Sequence, residues 1–318
     1  MEINLEMVKE KHGRLLEELH CVIVGQEEFL EHLAVALFTG GHVLMEGVPG
    51  LGKTLAARSL AKALDAGFSR IQFTPDLMPS DVTGTKVFDV KNSNFYMKKG
   101  PVFTHILLAD EINRATPKAQ SALLECMEER SVTIDGETYN LPEPFMVLAT
   151  MNPLEFEGTY PLPEAQLDRF LMKLTLQYLK PEMEAALLVR VNEKGGVLGL
   201  EQLKPVITPS EWVFMRGEVN RVLVGEAIIR YIISVVLATR NSPAVLLGAS
   251  SRASIALMQC SKTLAAFDGR DYVIPEDVVE VIHPVLRHRL IIRPEAQLDN
   301  VSVDDILTGI VKTVEIPR

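Results

Sequence analysis

A three-layer αβα domain on a parallel five-stranded sheet, followed by a smaller all-helical domain, is the fold this sequence predicts. Three observations predict it. An apolar strand, a glycine-rich loop and a helix succeed one another over residues 42–64. Four further apolar runs, at 69–73, 106–111, 145–150 and 171–176, alternate with helical patterns, as in a chain of βαβ units. From Lys180-Pro181 onward such runs stop and helical spacing dominates, which places a domain boundary between residues 1–179 and 180–318.

Leu5 to Leu19 alternates charged and apolar groups at helical spacing, a surface helix leading into the core. Val22 to Gln26 is a short apolar stretch ending in a turn, and Glu27 to Phe38 is a second helix. The strand His42 to Glu46 runs into Gly47-Val48-Pro49-Gly50-Leu51-Gly52-Lys53-Thr54, a complete G-x-x-x-x-G-K-[ST] pattern. A chance match in a chain this long is on the order of one in a hundred. Leu55 and the Ala- and Leu-rich stretch to Leu64 continue as a helix. Glycines let the loop curl so that backbone N–H groups point at phosphate oxygens, and the helix presents its positive end to them. Lys53 then reaches the β- and γ-phosphates, and the Thr54 hydroxyl is placed for Mg²⁺. The pattern implies nucleotide binding, with the first two helices placed to cover the base.

After the strand at 69–73, Pro75 to Pro101 interrupts the alternation. Thr85–Asp89 and Asn94–Met97 flank Lys91-Asn92-Ser93 and predict an inserted hairpin. Lys86, Lys91, Lys98 and Lys99 make it basic; a solvated hairpin explains it as well as a binding loop does. The strand at 106–111 ends in Asp110 and Glu111. Beside a phosphate loop, the first acid can hold the Mg²⁺ water shell and the second can polarise the attacking water. Pro117 to Arg130 is an amphipathic helix. Residues 132–139 form a second hairpin around Asp135-Gly136. The strand at 145–150 leads to Asn152, either a turn residue or one that orients the lytic water or touches the γ-phosphate. Arg169 stands at the start of the last strand, where a salt-bridge role is equally open. Helices are expected at 182–192, 210–221, 226–239, 252–267 and 276–286, with Pro181, Pro209 and Pro275 near their starts and a loop at Gly195-Gly196.

The chain has 318 residues, 47% apolar and 23% charged, an ordinary globular composition, with net charge −10. That acidity is a poor footprint for wrapping nucleic acid. Three isolated cysteines make neither a disulfide framework nor a metal spacing, and are expected reduced and buried. No run is long enough to span a bilayer, and the N-terminus lacks a signal-peptide core. A cytoplasmic protein without membrane insertion is expected.

The ordered motifs resemble the AAA+ ATPases, and within them the MoxR group, related to magnesium-chelatase ATPase subunits and minichromosome-maintenance helicases. The resemblance runs from Val22 to Leu290 and rests on GVPGLGKT at 47–54, LADEINRA at 108–115, ATMNP at 149–153, EGTYPLPEAQLDRF at 157–170, GASSRAS at 248–254 and GRDYVIPEDV at 269–278. It implies ATP and Mg²⁺ as cofactors. Asp110 and Glu111 match Walker B, Asn152 sensor 1, Arg169 the arginine finger and Arg252 sensor 2, without the proline that many relatives carry before it. Val24, Gly25 and Gln26 match the segment lining the adenine pocket. The two hairpins match insertions that usually face the pore of a hexameric ring or a docked partner. In the family the finger arginine comes from the neighbouring subunit, so a homo-oligomer, a hexameric ring, is implied; Arg114 either faces that neighbour or caps a helix. The resemblance further implies chaperone-like work on protein clients, commonly with von Willebrand factor A-domain partners.

Three functions are in play: a protein-remodelling ATPase ring, a nucleic-acid motor using the lysines of the 85–99 insert, and a nucleotide-gated scaffold that barely hydrolyses. The acidity, the lack of a winged-helix or zinc module and the expectation of few aromatics near those lysines weigh against the second, and Glu111 weighs against the third.

Overall fold

The computed structural model describes residues 4–152, 158–193 and 199–317. Pro153, Glu157 and the Gly195-Gly196 loop, all singled out from the sequence, lie outside the described residues. Two helices open the chain, α1 (Leu5–His20) and α2 (Glu27–Thr39). Asn4 caps the first, its side chain accepting from the Met7 N–H at 3.2 Å. Then come β1 (Val43–Glu46), α3 (Lys53–Ala63), β2 (Phe68–Gln72) and a short α4 (Pro79–Thr83) that the sequence patterns did not mark. The first insert is the hairpin β3 (Gly84–Asp89) and β4 (Asn94–Lys99). Next are β5 (Ile106–Asp110), α5 (Pro117–Glu129), the second hairpin β6 (Ser131–Ile134) and β7 (Glu137–Asn140), β8 (Met146–Met151), the single turn α6 (Glu164–Leu167) and β9 (Met172–Thr175).

The main sheet has five parallel strands in the order β2-β5-β8-β1-β9. Its central strands β5 and β8 are buried almost throughout, which explains their unbroken apolar runs. Strand β1 sits between β8 and β9, so the crevice at the C-terminal ends of β1, β5 and β8 is where such a sheet binds ligands. Gly84 and Gly100 cross at the base of the first hairpin. A Cβ on Gly84 would lie 2.3 Å from the Lys98 carbonyl and one on Gly100 2.4 Å from that of Val82, so neither position takes a side chain.

Helices dominate the remainder: α7 (Pro181–Glu193), α8 (Pro209–Asn220), α9 (Glu226–Asn241), α10 (Ser251–Phe267), α11 (Pro275–Leu286), α12 (Pro294–Leu298) and α13 (Val303–Thr313). A small two-stranded piece, β10 (Val245–Leu247) with β11 (Ile291–Ile292), was not expected from the sequence. Prolines open α8 and α11, and Thr208 with Glu211 forms a capping box on α8.

The two opening helices pack on both parts of the chain. Leu15, Leu30, Leu33 and Phe38 join one apolar cluster that runs from α3 and β1 to Trp212, Leu257 and Val281. Trp212 is 1% exposed and its indole N–H donates to the Leu37 carbonyl at 2.8 Å. Truncating such a buried ring to alanine costs about 3–5 kcal/mol. Arg289 makes the other join: its Nε donates to Asp168 Oδ1 at 2.7 Å and its Nη2 to the Phe170 carbonyl at 2.7 Å. Cys126 and Cys260 are buried as expected, and burial pushes both thiols up to about 12. Cys21 departs from the expectation and is exposed, because it lies just past the end of α1.

Candidate nucleotide-binding and hydrolysis site

The glycine loop leaves β1 at the C-terminal edge of the sheet and ends as the N-terminus of α3. Gly50 (φ +90°) and Gly52 (φ +84°) are left-handed, a conformation that side chains resist, and a Cβ on either would meet nothing within 4 Å. The loop is therefore shaped by its backbone, with open space beside it. Lys53 donates to the Gly47 carbonyl at 2.6 Å, folding back across the loop it follows. Burial lowers its pKa, opposed by the negative charges of Asp110, Glu111 and Glu46.

Asp110 ends β5 and Glu111 follows in a left-handed turn (φ +56°) that throws its side chain off the strand line. Both acids are engaged. Thr150 donates its hydroxyl to Asp110 Oδ1 at 2.6 Å and accepts the Glu111 N–H at 2.8 Å. Arg70 Nη2 lies 2.6 Å from Asp110 Oδ2. Gln72 Nε2 donates to Glu111 Oε2 at 2.6 Å, and Arg114 Nη1 reaches the same oxygen at 2.9 Å. Arg114 thus pairs with the neighbouring acid of its own chain. Asn152 is buried one residue beyond β8, beside these groups along the sheet edge.

Sequence reasoning missed Arg70, Gln72 and Thr150. The first two carried a signal. They are polar residues two apart on a strand, so they share a face, and their register partners on β5 are Leu108 and Asp110. Thr150 carried none, being one hydroxyl in an apolar run.

A cavity of about 350 Å³ lies where the sequence placed base recognition. Gly25, Gln26, Phe29, Tyr178, Met183 and Arg287 are among its walls, whereas Val24 is not. Gly25 (φ +70°) sits so close to Met183 that a Cβ would come within 2.9 Å of it. The segment after β9 connects this cavity to the loop, since the Leu176 N–H donates to the Glu46 carbonyl at 2.8 Å. The volume falls in the range of small-molecule sites. Thr54 and Asp110 supply hard oxygen donors of the kind Mg²⁺ takes, mostly through water. A carboxylate offers about four lone-pair sites, so Asp110 can keep Thr150 and still serve a cation.

Arg169 and Arg252 are elsewhere. Arg169 precedes β9, and the Leu171 N–H donates to the carbonyl of His42, the residue before β1. Both arginines meet Glu128 at the end of α5, with Arg169 Nη2 3.0 Å from Oε2 and Arg252 Nη2 3.1 Å from Oε1. This is the N-terminal edge of the sheet, roughly 13–20 Å from the phosphate loop by strand rise alone. The sequence-predicted residues therefore divide into two groups. Lys53, Asp110, Glu111 and Asn152 gather at one edge, and the two arginines at the other.

Residues 42–172 match the ATPase family associated with various cellular activities (AAA), and residues 237–310 match the AAA lid domain. The chain is 47% identical over 305 residues to the uncharacterized protein YeaC of Bacillus subtilis, covering 96% of this chain and 94% of that protein. It is 44% identical over 314 residues to Chaperone MoxR1 of Mycobacterium tuberculosis, covering 96% and 82%. The crystal structure of a putative ATPase from Cytophaga hutchinsonii superposes with a TM-score of 0.90 at 44% identity, covering 99% of this chain and 97% of that one. A complete phosphate loop at a sheet edge with paired acids beside it, joined to a helical region that matches the lid, agrees with these likenesses over nearly the whole length: the chain belongs to the AAA+ ATPases and is of the MoxR type.

Proposed function

We propose that this ATPase works as a homo-oligomeric ring, with six subunits, in which each phosphate loop is completed by Arg169 and Arg252 of the neighbouring subunit. The observation that carries this reading is the placement of both arginines at the sheet edge opposite Lys53, Asp110 and Glu111. Charge builds on the γ-phosphoryl oxygens in the transition state, and guanidinium forks match it. A subunit that carries those forks on its far face cannot deliver them to its own loop.

Within one site, the loop from Gly47 to Leu55 cradles the phosphates with its N–H groups, and Lys53 gives up the Gly47 carbonyl for a phosphate oxygen. Gly25 and Gln26 border the base. Thr54 and Asp110 would hold Mg²⁺, which neutralises phosphate charge when bound. Glu111 accepts a proton from the attacking water once Gln72 and Arg114 release its oxygen, and Asn152 orients that water. Chaperone-like remodelling of protein partners, a von Willebrand factor A-domain protein among them, is the work we assign to the ring, in the cytoplasm, with domains meeting near residues 179 and 180. The likeness to Chaperone MoxR1 supports the client reading. Among the described residues no helix is long and apolar enough to cross a membrane.

Phosphate release per chain, measured across a wide range of protein concentration, tests the assembly. It is expected to climb with concentration and to vanish in Arg169→Ala while nucleotide binding persists. Full turnover by Arg169→Ala would refute shared sites.

One observation favours a second reading. The first hairpin exposes Phe88, Phe95 and Tyr96 on the same two-stranded piece as Lys98 and Lys99, which corrects the expectation of few aromatics near those lysines. Stacking rings with cations also suit single-stranded nucleic acid. Salt-dependent binding of single-stranded DNA, lost in Lys98→Ala/Lys99→Ala, would favour a nucleic-acid motor; its absence leaves the protein-client reading.

A further inference from the structure

We propose that Glu128 is a positioning residue that binds Arg169 and Arg252 into a single two-guanidinium receptor for the terminal phosphate of the neighbouring subunit; this rests on the shared-site reading above. One carboxylate here serves two guanidiniums, one per oxygen, at 3.0 and 3.1 Å. Like charges do not gather without reason, and each arginine is a third to a half exposed, free in principle to swing into water. The backbone holds their roots close. Asp168, next to Arg169, accepts from the Ser250 hydroxyl at 3.2 Å, and Ser250 caps α10 two residues before Arg252. Asp168 is itself fixed by the buried Arg289. Roots alone do not set where long side chains end, so the carboxylate sets the ends.

The chemistry of the pair fits a phosphoryl group. A guanidinium has five N–H donors, and each arginine directs one Nη2 to Glu128. The remaining donors of two forks held side by side suit an anion with three oxygens. Glu128 contributes a single negative charge against the two guanidiniums it joins, which leaves the trio one positive charge, with Glu125 and Glu129 also lining the hollow beside Arg169. Half-exposed ion pairs are weak, so the forks can adjust when the phosphate arrives. The role is to fix geometry, and a misplacement of about 1 Å can cost roughly 100-fold in rate.

Glu128→Gln keeps the size and removes the charge, and it puts an NH₂ donor against one guanidinium. It is expected to lower kcat about 10- to 100-fold with little change in KM for ATP, while Glu128→Asp recovers part of the loss. Mixed rings give the decisive readout. Glu111→Gln subunits have a dead site but an intact arginine pair. Mixed with Glu128→Gln subunits, they should raise turnover well above the sum of the two alone, since they lend the pair to a working phosphate loop. Glu111→Gln mixed with Arg169→Ala is the companion arm. Recovery in both mixtures supports Glu128 as the organiser of the pair. Recovery only with Arg169→Ala, or a wild-type rate in Glu128→Gln alone, overturns the Glu128 proposal and leaves shared sites standing. Recovery in neither overturns shared sites, and the Glu128 proposal with them.

Discussion

Arg70 reaches from β2 to Asp110, the acid at the end of β5, with Nη2 2.6 Å and Nε 3.1 Å from the same carboxylate oxygen. The same guanidinium donates to Gln72 Oε1 at 2.9 Å, and Gln72 in turn donates to Glu111. One arginine on the edge strand therefore bears on both acids, directly on one and through an amide on the other. On the role proposed for Asp110, Arg70 would compete for the oxygen that a divalent cation uses.

Removing that competitor should make the cation easier to bind. Arg70 is 47% exposed, so its pair with Asp110 is worth about 0–1 kcal/mol. Arg70→Ala is expected to lower the Mg²⁺ concentration at half-maximal turnover by about two- to fivefold. The measurement is phosphate release against Mg²⁺ at fixed ATP, checked by direct calorimetric titration with Mn²⁺. A raised requirement would mean that Arg70 orients Asp110 for the cation instead of competing with it.

Lys53 and Glu111 should separate binding from chemistry. Lys53→Ala removes the cation proposed to meet the phosphates, and no nucleotide binding is expected by fluorescent-nucleotide titration. Glu111→Gln keeps the loop intact and loses the proton acceptor, so binding should survive while turnover falls by about 10²–10⁴-fold. Substantial turnover in Glu111→Gln would remove this residue from the role of base.

The division between what the sequence disclosed and what it did not follows from distance along the chain. The glycine loop, β1 and α3 are contiguous, and a contiguous backbone device writes its whole pattern in order. Asp110 and Glu111 were legible because a buried parallel strand must be apolar until it ends, so its terminal acids stand out. Gln72 on Glu111, and Glu128 between Arg169 and Arg252, are meetings of side chains far apart in sequence, and no local pattern encodes them; Arg114 follows Glu111 by three residues, a local pairing that the sequence spacing allowed. The second half was legible as helices because of its apolar spacing and the prolines near helix starts, such as Pro209 and Pro275. The last helix, α13, was missed although Ser302 and Asp305 form a capping box on it. That β10 pairs with β11 was not legible, because strands of two and three residues carry no period.

Thr150 joins the two acids, and its loss should be felt in stability and in rate. Thr150→Val leaves the Glu111 N–H without its acceptor and Asp110 Oδ1 without its donor, at a position 1% exposed. An unsatisfied buried group costs about 1–3 kcal/mol, while the shape is conserved. A lower denaturant midpoint with an unchanged slope is expected, with turnover reduced because Glu111 is no longer pinned at its backbone. Unchanged stability would show that water replaces the hydroxyl at this position.

Acid sensitivity should originate at His42. This ring is buried at the junction of β1, β8 and α5. The Val147 N–H donates to its Nδ1 at 3.0 Å, so its proton sits on Nε2, which donates to the Met127 carbonyl at 3.1 Å. Burial lowers its pKa to about 4, with Arg130 and Arg216 acting in the same direction against the Met127 hydrogen bond. In the unfolded chain the ring titrates near 6.5. Between those values the unfolded state binds the extra proton, so stability rises with pH through this window. The contribution is fully present above about pH 6.5 and is lost as pH falls toward 4, a change on the order of 3 kcal/mol. His288 adds to the same trend, because burial beside Arg289 lowers its pKa as well. Chemical denaturation at half-unit steps from pH 7.5 to 4 should show this fall. In His42→Asn the curve should begin lower, since one hydrogen bond is lost, and should descend less steeply across the window. Parallel curves for the two proteins would place the acid sensitivity elsewhere.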